Sequence, residues 1–225
     1  ILNLGVIFLG GSLLMVRRYG LDPRKVFALR PVHPAVLLAV LVGIPAAYFT
    51  GIGLSVLVDA YLFPVPQSVL EAFGEALLPE EIPLWQLVFF ICVMPGILEE
   101  LAFRGVLLHG LRKTWNPVIV CLVTGGIFGL FHVDLFRLIP TAYLGVIFAA
   151  VVLLTGSIFP AMLWHFGNNA IGLVPHRMGW VTEETVFPEW VFAIAFVALL
   201  VVFWIIWKVS TPYPDLKKKR PDAFG

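Results

Sequence analysis

Charged residues are scarce in this chain. Asp, Glu, Lys and Arg together make up 13% of the 225 residues, whereas a soluble domain carries roughly 25%. Hydrophobic residues make up 60%, more than the core of a soluble domain of this length can bury. The formal net charge of +1 gives no sign of a nucleic-acid partner. The composition excludes an ordinary soluble domain and indicates a membrane protein.

Cysteine is rarer still, and the first residues do not have the pattern of a signal peptide. Cys92 and Cys121 both fall in apolar runs, so they indicate neither a disulfide framework nor a redox compartment. The sequence enters at Ile1 in the middle of a hydrophobic run, without the charged region and cleavage site of a signal peptide. We expect a single transmembrane domain over residues 1–225, as a fragment of a longer chain.

Long apolar segments dominate the rest of the chain. A membrane-spanning helix needs about 20 apolar residues. The sequence predicts an all-α, polytopic transmembrane bundle of about seven hydrophobic segments, with a break in the third at Pro95–Gly96. Between the second and third segments, the acidic stretch 64–83 predicts a short amphipathic helix at the membrane interface. The predicted segments are 1–16, 34–63, 85–111, 116–135, 138–155, 157–174 and 190–207.

The distribution of Lys and Arg predicts the orientation of these segments. If the loop after the first segment is cytoplasmic, twelve Lys and Arg residues lie on that side, and only Arg137 and Arg177 lie outside. The acidic stretches 64–83 and 183–189 then also lie outside. The twelve are Arg17, Arg18, Arg24, Lys25, Arg30, Arg112, Lys113, Lys208, Lys217, Lys218, Lys219 and Arg220.

Two adjacent glutamates stand inside the third segment. A charge at bilayer depth costs on the order of 2.5–3.5 kcal/mol on insertion scales, so both carboxylates need a partner or a purpose. Arg104 follows Glu100 by four residues, which puts the two on one helical face and predicts an ion pair. Glu99 points about 100° away from that pair. The spacing therefore predicts one neutralised and one available carboxylate.

Two further polar pairs stand on other segments. FGLFH places Phe128 and His132 four residues apart, and HFGNN does the same for His165 and Asn169. Counted at about 1.5 Å per residue from the cytoplasmic ends, the depths of Glu99, His132 and His165 overlap. The sequence predicts that these side chains converge in one pocket inside the bundle.

Such a set of side chains suits peptide hydrolysis, which needs an activated water, a proton shuttle and donors for the developing oxyanion. Glu99 is the candidate base, His132 the residue that helps to hold and deprotonate the water. His165 and Asn169 are candidate oxyanion donors. Alternatively, Glu99, His132 and His165 supply the three protein ligands of a zinc site, and the residues alone leave both routes open.

Each feature also has a purely structural interpretation. The Glu100–Arg104 pair can fix helix geometry, and polar residues in membranes often bond across helices. Three polar clusters at membrane depth are nevertheless hard to explain as packing alone. The residues assigned to packing or to ordinary interfacial positions are His33, His109, His176, Asn168, Gly125, Gly126 and Gly129.

In their order EELAFR, FGLFH and HFGNN, the three motifs resemble the signatures of the CPBP family of intramembrane proteases, which includes the CAAX prenyl protease 2-like and bacteriocin-processing proteins. The resemblance covers about residues 84–175. It implies a helical membrane bundle with a catalytic cavity, in which Glu99 and His132 activate water. It further implies that His165 and Asn169 stabilise the oxyanion, with Glu100, Arg104 and Phe128 as supporting motif residues.

The resemblance also frames the remaining expectations. No cofactor is assigned, with zinc as the alternative. We expect membrane lipid and a peptide or lipidated protein substrate as partners, no nucleic acid, and a fused or associated transporter permease by analogy with some relatives. The expected location is a prokaryotic plasma membrane. The alternative function is a non-proteolytic membrane module, such as a permease portion or an assembly or immunity factor, built on the same fold.

Overall fold

The computed structural model describes residues 4–182 and 185–210, which form nine helices and, within those ranges, no strand. We number them in chain order. They are α1 (residues 4–18), α2 (Pro23–Val26), α3 (Pro34–Tyr61), α4 (Gln67–Leu77), α5 (Leu84–Leu111), α6 (Pro117–Phe131), α7 (Leu135–Thr155), α8 (Phe159–Arg177) and α9 (Glu189–Val209).

Four of these helices, α3, α5, α7 and α9, are long and apolar enough to cross a membrane. The predicted all-α membrane bundle is confirmed, but the count of about seven spanning segments is not. Helix α6 is apolar but has only 15 residues, about 22 Å at the helical rise, which is less than a bilayer core of about 30 Å. Helix α8 interrupts its apolar surface with the polar residues of HFGNN.

The predicted break at Pro95–Gly96 is wrong, because α5 continues through it. The turns over Val88–Val93 are π-helical, and the Met94 N–H bonds to the Phe89 carbonyl five residues earlier. Pro95 then stands in the first turn of a regular α-helical stretch, where a missing N–H is tolerated. The wide turns therefore absorb the proline without ending the helix.

The predicted short helix between the second and third segments is confirmed as α4, Gln67–Leu77. Its Phe73 ring packs edge-on against Phe136 at the start of α7, with centroids 5.7 Å apart. The Arg137 guanidinium lies 4.8 Å from the centre of the same Phe73 ring. These contacts hold α4 against one end of α7; its location at the membrane interface stays a prediction.

Helix α3 is the central element, since it packs against α7, α8 and α9. Trp164 of α8 is fully buried in this core, and its ring lies so close to Gly43 of α3 that an added Cβ would approach it to 2.7 Å. Helix α8 also packs against α5, where Gly96 lies against the backbone of Phe166. This close approach brings the glutamates of α5 beside His165 of α8.

Helices α6 and α7 approach closely at glycines of α6. This confirms the packing role predicted for two of the three glycines. A Cβ on Gly125 would lie 2.7 Å from the Val146 nitrogen, and one on Gly129 would lie 2.6 Å from the Leu138 carbonyl oxygen. The prediction for Gly126 is wrong, because a Cβ there would meet no atom within 4 Å. Gly125 and Gly129 are four residues apart and share the face of α6 that meets α7, whereas Gly126 points about 100° away from it.

Part of the orientation prediction rests on residues outside the described ranges. Lys217, Lys218, Lys219 and Arg220 lie there, as does Glu183 of the second acidic stretch. The orientation of the bundle stays a prediction.

Candidate active site

One cavity of about 280 Å³ opens between α5, α6, α7 and α8, and all four candidate catalytic residues line it. Glu99 comes from α5, His132 from the end of α6, and His165 and Asn169 from α8. The predicted convergence of the three motifs is therefore confirmed as geometry, while the catalytic roles stay predictions. The remaining lining residues are Phe90, Ile91, Pro95, Phe128, Arg137, Thr141, Leu144, Phe148 and Asn168.

Behind the cavity wall lies the predicted ion pair between Glu100 and Arg104. The Arg104 Nη1 donates to Glu100 Oε1 at 2.9 Å, and both side chains are 0% exposed. A second donor of Arg104, Nη2, bonds to the Gly145 carbonyl of α7 at 3.0 Å. The guanidinium also lies 4.4 Å from the centre of the Phe128 ring and 5.1 Å from that of Phe148. Arg104 thus ties α5 to α6 and α7 in a dry environment.

Glu100 has a second partner that the sequence did not predict. His165 Nδ1 lies 2.9 Å from the same Oε1 that accepts from Arg104, and because a carboxylate only accepts, this nitrogen carries the proton. The bond turns His165 Nε2 toward Glu99, whose Oε2 lies 3.9 Å away. Phe148 stacks on the imidazole with centroids 5.0 Å apart. Glu100 therefore orients the site histidine in addition to neutralising an arginine.

Glu99 is the available carboxylate that the helical spacing predicted. Its side chain is 12% exposed and lines the cavity. Its Oε2 is buried and accepts no hydrogen bond from the described residues. A buried acceptor that nothing in the fold satisfies is expected to be served by water or by a bound molecule.

His132 directly follows the last residue of α6 and lines the cavity. Its Nδ1 lies 2.9 Å from the Phe128 carbonyl, four residues earlier. A carbonyl only accepts, so Nδ1 carries the proton and Nε2 presents a lone pair in the neutral ring. The Phe128 ring packs edge-on against the imidazole at 4.9 Å. Phe128 thus makes two contacts in the site. Its carbonyl accepts the hydrogen bond from His132, and its ring packs against the Arg104 guanidinium.

Asn169 makes a contact that qualifies its predicted role. Its Nδ2 donates to the Ile91 carbonyl of α5 at 2.9 Å. Pro95, four residues after Ile91, has no N–H, so this carbonyl cannot receive the usual helical bond. One of the two side-chain N–H groups of Asn169 therefore links α8 to α5, and the other remains available to an oxyanion.

Asn168 is the lining residue that the sequence interpretation had assigned to packing. It stands three residues after His165, on the same side of α8, and it is 8% exposed. Its Oδ1 is buried without a hydrogen-bond partner among the described residues. The i+3 spacing from His165 was the signal that pointed to this position.

The histidines and Glu99 do not fit a three-ligand zinc site in this arrangement. Within residues 4–182 and 185–210, no three His, Cys, Asp or Glu side chains stand close enough to hold a metal ion. Each histidine donates its Nδ1 proton, to a carbonyl or to Glu100, so the misfit lies in the distances between the side chains and not in the nitrogen that each ring presents.

A second, larger cavity of about 580 Å³ adjoins the first. It lies between α3, α4 and α7, and its wall is mostly apolar. Arg137, Thr141 and Leu144 line both cavities, so the two share one wall of α7. Arg137 also pairs with Asp134 at 3.7 Å. The remaining lining residues are Ser55, Val56, Val58, Asp59, Val65, Leu70, Phe73, Phe136 and Pro140.

Comparison with known protein families gives a match for part of the chain. Residues 81–171 match the family model described as Rce1-like, type II CAAX prenyl endopeptidase. This range contains all three motifs and every residue assigned to the site. No curated protein and no solved structure matches the chain.

Proposed function

We propose that this chain is an intramembrane endopeptidase. The proposal follows from the match of residues 81–171 to a model of the CPBP and CAAX protease family. The proposed reaction is hydrolysis of a peptide bond by a water that Glu99 and His132 activate. The observation that carries this proposal is that Glu99 lines a cavity together with two histidines, while its Oε2 accepts no hydrogen bond from the described residues. A scaffold has no need for a carboxylate oxygen at membrane depth that accepts no hydrogen bond.

The proposed chemistry assigns one proton transfer to each step. Glu99 accepts a proton from water while the water oxygen bonds to the scissile carbonyl carbon. His132 Nε2, whose lone pair is free because Nδ1 bonds to Phe128, accepts a hydrogen bond from the same water. When the C–N bond breaks, Glu99 returns its proton to the leaving nitrogen. The products are one carboxyl and one amino terminus.

The proposed oxyanion donors come from α8. Asn169 has one N–H left after its bond to Ile91, and His165 offers Nε2 when the ring is in its imidazolium form. Glu100 holds His165 in place through Nδ1. Donors held in place by other contacts need no reorganisation when the charge develops, which is the source of their catalytic effect.

The proposed substrate is a membrane-associated or prenylated protein or peptide of the CAAX type. The family description supports this class, and the second cavity offers space for an apolar chain beside the scissile bond. Leu70, Phe73, Phe136 and Leu144 supply apolar surface there, and Arg137 places one positive charge at the junction.

The test is cleavage of a farnesylated peptide that ends in a CAAX sequence, by purified protein in detergent. The variant Glu99→Gln keeps the shape of the side chain and removes the base. We expect it to lose roughly 10²–10⁴-fold in kcat, the usual contribution of a general base, and to keep its elution profile in gel filtration. Glu80→Gln, an exposed glutamate before α5, is the matched control and should cleave like the wild type.

Near-normal cleavage by Glu99→Gln would exclude Glu99 as the base. Absence of cleavage by the folded wild type would instead favour the non-proteolytic module over a protease for this substrate class.

A further inference from the structure

Two residues that line the cavity each have a buried acceptor atom without a hydrogen-bond partner among the described residues, Glu99 Oε2 and Asn168 Oδ1. Glu99 is accounted for by the proposed water. Asn168 is not accounted for, although burying an amide oxygen without a partner costs about 1–3 kcal/mol. Because Oδ1 is an acceptor, the partner that it lacks is a donor.

We infer that Asn168 is a substrate-binding residue whose Oδ1 accepts a backbone N–H of the peptide in the cavity. This inference rests on the proposed peptidase function. A peptide in an extended conformation carries unpaired N–H groups, which must be satisfied once they leave water. Asn168 lies three residues from His165 and one from Asn169 on α8, so an N–H that it binds belongs to a residue beside the scissile bond.

The two neighbouring asparagines then have different roles, one structural and one in substrate binding. Asn169 positions α8 on α5 through the Ile91 carbonyl, and it is paired in the structure as it stands. Asn168 lines the cavity, and its Oδ1 makes no such contact with the described residues. Removal of a paired group destabilises a fold, whereas replacement of an unpaired buried acceptor by an apolar group of the same shape is neutral or stabilising. The two roles therefore have opposite signatures.

The experiment uses Asn168→Leu, which keeps the size of the side chain and removes its hydrogen-bonding atoms. We expect KM for the farnesylated CAAX peptide to rise about tenfold, the equivalent of one well-made hydrogen bond. We expect kcat to change little and the thermal midpoint in detergent to stay the same or rise.

The matched control is Thr124→Val, since Thr124 Oγ1 is also buried without a partner among the described residues, but Thr124 does not line the cavity. Its KM should equal that of the wild type. Binding of the peptide to Glu99→Gln, with and without Asn168→Leu, measures the same tenfold difference by fluorescence anisotropy without any turnover.

Three results would overturn the inference. They are an unchanged KM, a loss of activity that follows a lower thermal midpoint, and a fall in kcat at constant KM. The last would place Asn168 at the water or the oxyanion. If the wild type fails to cleave the peptide, the proposed function itself fails, and the inference fails with it.

Discussion

Glu100→Gln isolates the role of one buried charge, because glutamine keeps the shape and one acceptor oxygen of glutamate. In the wild type, Glu100 Oε1 accepts from both Arg104 Nη1 and His165 Nδ1 at 2.9 Å. The substitution leaves the Arg104 guanidinium without a counter-charge in a fully buried site. It also places an amide N–H₂ where Oε2 has no partner among the described residues.

Removing one partner of a buried ion pair costs about 3–5 kcal/mol. Arg104 keeps its bond to the Gly145 carbonyl and its contacts with the Phe128 and Phe148 rings, which partly offset the loss. We therefore expect the low end, about 3 kcal/mol. For a chain of this length that corresponds to a fall in Tm of roughly 6–12 °C.

The assay is thermal denaturation in detergent. Unfolding is monitored by gel filtration with detection of tryptophan fluorescence. Asp22→Asn is the matched control, since Asp22 pairs with Lys25 at 4.0 Å on the exposed surface and asparagine caps a helix equally well. It should change the stability by less than about 0.5 kcal/mol. The double variant Glu100→Gln/Arg104→Met removes the uncompensated charge and should recover most of the lost stability.

An unchanged Tm for Glu100→Gln would refute the reasoning, because it would mean that the charge of Glu100 does not compensate Arg104. A double variant as unstable as the single one would refute it as well, since the loss would then come from altered packing.

The other predictions concern packing, the inter-helix amide, metal and orientation. Gly125→Ala should lower Tm, because its Cβ would meet backbone atoms of α7 at 2.7–2.8 Å. Gly126→Ala should raise the stability by about 0.5–1 kcal/mol through helix propensity alone. Equal Tm values for the two variants would contradict the packing of α6 on α7. Asn169→Leu should cost about 1–3 kcal/mol in thermal denaturation, since a carbonyl of α5 loses its donor, and unchanged stability would remove this contact. Protein treated with a strong chelator should keep most of its peptidase activity, and activity lost and then restored by stoichiometric zinc would establish a metalloprotease. In a variant without the native cysteines, cysteine at Glu80 should react with an impermeant thiol reagent in intact cells and cysteine at Arg18 should not; the reverse pattern would overturn the orientation.

The sequence alone determined the features that depend on neighbours along the chain. Apolar runs of helical length predicted the membrane helices, because a bilayer leaves backbone groups no other partner. The four-residue spacing predicted the Glu100–Arg104 pair and the opposed direction of Glu99, because both follow from the helical repeat. The order of the three motifs predicted the match to a CAAX protease family model over residues 81–171 and four of the residues around the cavity.

Only the tertiary structure decided how those residues share their hydrogen bonds. His165 reaches Glu100 across 65 positions, and Asn169 reaches Ile91 across 78, so neither pairing is encoded in local spacing. The continuity of α5 past Pro95 depends on wide turns and on a donor from another helix. Whether Asn168 or Asn169 holds the helices together depends on a rotation of α8 that is set by its packing on α5. Sequence periodicity defines the face of a helix, but the neighbour that meets this face is chosen by the packing of the whole bundle.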